Sequence, residues 1–109
     1  MKIIIESPDL KISSSLEEFV INKVSKLKRL HQKIISAEVT LEMEVKKTKE
    51  MVKCSIILNI PGKDEYVKSS SEIFEDAILK AVVAAQRRLQ IRKTQKIVNR
   101  KSVLKEKSK

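Results

Sequence analysis

His31 and Cys54 are each the only residue of their type in this 109-residue chain, and they hold most of what metal or nucleophilic chemistry could use. One imidazole and one thiol fall short of the ligands a zinc site needs. Cys54 occupies an inward position of an alternating strand, where a thiol serves as a small core hydrophobe. His31 follows a basic run near a helix end, where an imidazole complements the dipole or sits at the surface. Gly62 is the only glycine, so no glycine-rich phosphate loop can form. The serine runs 13–15 and 69–71 stand where helix caps belong. These residues predict no catalytic group, no metal site and no cofactor, and the chain is not expected to be an enzyme.

The remaining chemistry is electrostatic. A formal charge of +10 calls for a polyanionic partner, either nucleic acid or an anionic membrane. Residues 1–65 hold 12 Lys/Arg against 10 Asp/Glu, whereas residues 86–109 hold 10 Lys/Arg against Glu106 alone. Nearly all the excess therefore lies on the last quarter of the chain, a basic end on a near-neutral body. Aromatic residues make up 3%, too few for a surface that stacks many unpaired bases. One cysteine excludes an internal disulfide and fits a reducing compartment. The apolar start at Ile3–Ile5 is interrupted by Glu6 and Asp9, too early for a signal peptide or a span of ~20 residues. The expected location is the cytoplasm, away from membranes.

Several elements must position those charges. Ile3 and Ile5 predict a short first strand that Pro8 ends. Ser14 and Glu17 have capping-box spacing, ahead of an apolar helical face through Leu16, Phe19, Val20, Val24, Leu27 and Leu30. Ala37, Val39, Leu41, Met43 and Val45 alternate with Glu38, Thr40, Glu42 and Glu44, the pattern of a half-buried strand. Residues 46–50 form a polar connection, and a second alternating strand runs inward through Val52, Cys54, Ile56, Leu58 and Ile60. Pro61-Gly62 turns the chain into a strand at about Glu65–Ser70. A long helix follows through Phe74, Ile78, Ala81, Ala85 and Leu89. The order β-α-β-β-β-α predicts an α+β two-layer sandwich, a four-stranded sheet with both helices on one face. Residues 1–95 form the domain, and 96–109 a basic tail expected to be disordered until bound.

Helical geometry then places the cations. Lys26, Arg29 and Lys33, with Asn22, share one flank of helix one, and Lys23 lands within its apolar sector, between Leu16 and Leu30. There it can snorkel along the sheet rim and still serve phosphate. The core-facing line of helix two passes from Ala81 and Ala85 into Arg88 and Arg92, so the core runs out there. Arg87, Arg88, Arg92 and Lys93 surround the protruding end. Glu72, Glu75 and Asp76 at the start of helix two would repel phosphate, despite the free N–H groups there. The outer sheet face, with Glu38, Glu42 and Glu44 beside Lys53, is suited to cross-strand pairing. RNA contact is thus expected at Lys23, Lys26, Arg29, Lys33, Arg87, Arg88, Arg92 and Lys93.

From Met1 to about Lys93 the chain resembles the short form of the ribosome hibernation-promoting factors, the family that includes the ribosome-associated translation inhibitor. The resemblance lies in Ile12–Leu16, in Phe19-Val20, Lys23-Val24 and Leu27, in the 39–45 strand and Pro61-Gly62, and in Ala77-Ile78, Arg87 and Leu89. It rests on their order and spacing more than on any single motif. It implies a fold similar to a double-stranded RNA-binding domain. It also implies a site on ribosomal RNA in the decoding channel of the small ribosomal subunit, where the protein blocks translation by excluding messenger and transfer RNA. No small-molecule substrate is implied, and the chain should be a monomer off the ribosome. Lys23, Lys26 and Arg87 occupy matching basic positions, and Lys93 a similar one. Ala84 and Ile91 stand where members tend to carry lysine, with Arg88 and Arg92 as neighbouring replacements. The resemblance does not extend to the long form's dimerising domain. Two other classes are a generic double-stranded RNA-binding module and a peripheral protein of anionic membranes. The acidic start of helix two argues against the first. The second would draw on Ile97, Val98, Val103 and Leu104 in the basic tail.

Overall fold

In a computed structural model, the backbone is described over residues 1–107 and the side chains over 1–45 and 47–92. The elements are β1 (Lys2–Glu6), α1 (Ser14–Ser25) with a 3₁₀ turn at Lys26–Arg29, β2 (Ser36–Lys46), β3 (Lys49–Asn59), β4 (Glu65–Ser71) and α2 (Phe74–Lys107). The four strands form one sheet in the order β1-β2-β3-β4. β1 runs parallel to β2, because α1 carries the chain back between them, and the other neighbours are antiparallel. The expected α+β sandwich is the observed one.

A single apolar cluster holds the layers together. Leu16, Val20, Val24 and Leu27 from the first helical segment meet Ala77, Ile78, Ala81, Val82, Ala85 and Leu89 of α2. Both sets lie over Ala37, Val39, Leu41, Val52, Cys54, Ile56 and Leu58. Both helices therefore cover the same sheet face. Each fully buried Leu, Ile or Val contributes roughly 1.5–3 kcal/mol of burial free energy. The small residues Ala77, Ala81 and Ala85 carry no bulk on the core side of α2, which lets the helix lie close to β3 and β4.

Four local expectations change. Ser13, not Ser14, caps α1: its hydroxyl accepts from the Leu16 N–H at 3.1 Å, and the Glu17 N–H donates to the Ser13 carbonyl at 3.0 Å. The half-buried Ile12 just before it packs on the core and fixes where the chain enters the helix. Next, α1 ends at Ser25, so Arg29 lies in the 3₁₀ turn and Leu30 and Lys33 lie beyond it. A 3₁₀ turn advances with 3.0 residues per turn instead of 3.6, so Lys26, Arg29 and Lys33 do not form one α-helical flank. The connection after β2 is shorter than residues 46–50. Lys46 pairs with Lys49, leaving Lys47 and Thr48 as a two-residue turn at φ 48° and 70°. Finally, Val45 keeps its place in the alternation but is 73% exposed. The β2–β3 hairpin extends beyond its pairing with β1 and β4, so nothing lies there to cover it. α2 runs on helically as far as Lys107, into the segment 96–109 set apart as a basic tail; residues 108 and 109, and the side chains from Lys93 onward, lie outside the described residues.

Candidate nucleic-acid interface

The end of the first helical segment, the β3–β4 turn and residues 88–92 of α2 converge at one corner of the molecule. The turn forms because Pro61 presets its own φ and Gly62 adopts φ +95°. The Ile60 N–H is held by the Asp64 carboxylate at 3.1 Å. On the helix-one side, the Lys28 ammonium donates to the carbonyls of Gln32 at 2.5 Å and Ile34 at 3.2 Å. It thereby ties down the turn that carries His31 and Lys33. The Lys33 N–H donates to His31 Nδ1 at 3.3 Å.

Lys33 and Arg92 line one concavity of about 430 Å³ together with Leu30, His31, Pro61 and Leu89. Arg92 also lines a neighbouring cleft with Arg88, Ile91 and Lys63. Four of the corner's cations, Lys33, Lys63, Arg88 and Arg92, thus surround two adjoining hollows. Arg92 is partly committed within the protein. Its Nη1 donates to the Lys63 carbonyl at 2.7 Å and lies 4.0 Å from Glu65 Oε1, which holds the guanidinium against the β3–β4 turn. Arg87 lies elsewhere on α2, in a hollow with Lys80, Leu79, Val83 and Ala84.

The cations of helix one form a second group. Lys23 is half-buried, its ammonium 5.6 Å from the centroid of the Phe19 ring. That cation–π contact at helical i, i+4 spacing explains a lysine beside the core stripe. Lys26 and Arg29 are exposed on the 3₁₀ turn. Lys63 was not among the sequence candidates; it sits in a turn after β3, and no periodicity links it to helix-two residues far along the chain.

The outer sheet face has a different character. Glu38 accepts from Asn59 Nδ2 at 3.0 Å, Glu44 accepts from the Ser70 hydroxyl at 3.1 Å, and Glu42 stands opposite Lys53 in the β2–β3 register. Each carboxylate has a cross-strand neighbour. At the start of α2, Glu72 pairs with Lys49 at 2.6 Å, and Asp76 accepts from Ser71 at 2.6 Å and pairs with Lys80 at 3.3 Å. Hydrogen bonding from Lys49 lowers the Glu72 pKa, and that from Ser71, then Lys80, lowers the Asp76 pKa. Both stay ionised and keep that helix start unsuited to phosphate. Burial pushes the Cys54 thiol up to about 12, which leaves it protonated at neutral pH. Among the described residues, no group of three His, Cys, Asp or Glu could hold a metal ion, and no helix is long and apolar enough to cross a membrane.

The family model described as sigma 54 modulation protein / S30EA ribosomal protein matches residues 3–97. The chain belongs to this family. The match covers β1 from Ile3, all of α1, β2, β3 and β4, and α2 as far as residue 97, including the whole cationic corner, and agrees with the resemblance to hibernation-promoting factors. No curated protein matches the chain. Among solved structures, the N-terminal domain of Protein Y from Thermus thermophilus is similar at 21% identity and TM-score 0.70, over 82% of this chain and 96% of that one. A ribosomal subunit interface protein from Coxiella burnetii is similar at 17% identity and TM-score 0.71, over 86% and 99%. At such identities the likeness concerns the fold. Arg88 and Arg92 flank Ile91 in the same cleft.

Proposed function

We propose that this protein is a ribosome hibernation factor that binds ribosomal RNA in the decoding channel of the small subunit. It stops translation by occupying the path of messenger and transfer RNA, and it catalyses no reaction. The observation that carries the proposal is the gathering of Lys33, Lys63, Arg88 and Arg92 around adjoining hollows, in a chain of the S30EA family. Guanidinium and ammonium groups converging from separate elements suit a folded RNA backbone, because phosphate contacts position a protein without reading sequence. Lys26, Arg29 and Arg87 widen that surface along the helix side, and Lys93 belongs with them in the proposal. The paired carboxylates of the outer sheet face support docking by the helix side. Such a protein would act in the cytoplasm and would be a monomer off the ribosome.

Initiator transfer RNA on isolated small subunits provides the test. Occupancy of the channel by that transfer RNA should weaken binding of this protein, and the reverse. Both binding one subunit without mutual weakening would rule out occlusion as the mechanism.

A further inference from the structure

The hollow between the helix-one end and α2 has more than charge. Its floor is Leu89, 1% exposed, and its walls include Leu30, 37% exposed, and Pro61. Lys33, His31 and Arg92 stand among these apolar groups. A volume of about 430 Å³ falls within the ~300–1,000 Å³ of small-ligand sites, which are mostly apolar with a few placed polar groups. A site that only neutralised phosphate would need no such apolar lining.

We infer that this hollow receives one unpaired nucleotide, its base against Leu30, Pro61 and Leu89 and its phosphate on Lys33 and Arg92. The described lining contains no carboxylate; Glu65 stands outside it, with Oε1 4.0 Å from Arg92 Nη1, and Lys33 carries no such acidic partner among the described ion pairs. The site is also held in shape before any ligand arrives. Lys28 braces the turn bearing Lys33, and Arg92 is anchored to the Lys63 carbonyl; ordering cost on binding is correspondingly small. Splayed-out bases are the usual targets where proteins read single-stranded RNA, and a chain poor in aromatics can offer an aliphatic pocket for one of them. The inference rests on the proposal of an RNA partner for the biological source of that nucleotide, while the pocket chemistry itself would also take a free mononucleotide.

Amide chemical shifts of the full chain, titrated with uridine or adenosine 5′-monophosphate, a short oligouridylate or inorganic phosphate, provide the first test. Residues 30–33 and 89–92 should move with the oligonucleotide, and movement with the mononucleotides as well would mean that a free nucleotide suffices. Inorganic phosphate at equal concentration should move them much less. Equal movement with phosphate, or none with either nucleic acid, would overturn the inference. In ribosome pelleting, Leu30→Ser should weaken binding about fivefold, since it removes part of one leucine's apolar burial, with its salt dependence unchanged. Lys33→Gln should lower the salt slope by about 1. Wild-type strength for a folded Leu30→Ser protein would also sink the pocket assignment. Ribosome binding that fails in the wild type while the amide shifts appear would instead remove the proposed function and leave the pocket standing.

Discussion

Gly62 and Thr48 occupy the same kind of backbone position with opposite suitability. Gly62, at φ +95°, has open space where a Cβ would go. The penalty for Gly62→Ala is therefore one of backbone conformation alone, about 1–2 kcal/mol, and should appear as a lowered melting temperature. Thr48 is a β-branched residue at φ 70°, in a turn whose geometry favours Gly. Thr48→Gly should stabilise by about 0.5–1 kcal/mol, the relief of left-handed strain less the freedom gained by the unfolded chain. Equilibrium denaturation reads both changes, and an unaltered midpoint for Gly62→Ala would contradict the turn geometry. The Pro61 wall lies beside Gly62, so this turn links backbone strain to the shape of the cationic corner.

The start of α2 is secured by polar contacts that depend on pH. Glu72 on Lys49 joins the beginning of β3 to the segment entering the helix, and Asp76 holds Ser71 at the end of β4. Both carboxylates have lowered pKa values in the folded state. Their stabilisation is therefore present above the ordinary carboxylate range and is lost as pH falls through the folded values. Glu72→Gln should flatten part of the acid limb of a stability–pH curve, and part of the alkaline limb too, because Glu72 raises the Lys49 pKa and that stabilisation is lost as pH rises through the folded value; an unaltered acid limb would show that the pair contributes nothing to folding. Farther along α2, Leu89 is the last buried side chain among the described residues. Truncation after Gln95 should consequently leave the melting temperature nearly unchanged. It should also flatten the salt dependence of ribosome binding, by about 0.7–0.9 for each phosphate that the shortened chain no longer neutralises. A large drop in stability would show that the residues beyond Gln95 belong to the folded domain.

For the molecule as a whole, the decisive question is which layer meets RNA. Arg87→Glu and Lys26→Glu each reverse an exposed charge on the helix side and should weaken ribosome pelleting strongly, with stability changed by no more than about 0.5 kcal/mol. Lys53 makes a poor control on the opposite face, because it stands across from Glu42 and reversal would set like charges together. Lys68, exposed and opposite Ser55, avoids that conflict, and Lys68→Glu should pellet almost normally. If Lys68→Glu proved as damaging as Arg87→Glu, with both proteins folded, docking would have to be reassigned to the sheet face.

Periodicity alone determined the order β-α-β-β-β-α and the buried faces, because strands of period two and helices of period 3.6 leave different apolar patterns. It also pointed to Arg88 and Arg92, since a charge on a core-facing line marks where the core stops. Local hydrogen bonding set the details that the pattern left open: Ser13 is the cap, not Ser14, and the 3₁₀ turn after Ser25 moved Lys33 off the helical flank. Only the tertiary structure brought Lys33, Lys63 and Arg92 to one corner. Lys33 follows the first helix, Lys63 lies in a turn and Arg92 lies in the last helix. Their proximity depends on how α1 and α2 pack over one sheet, and residue spacing within any single element carries no information about that packing.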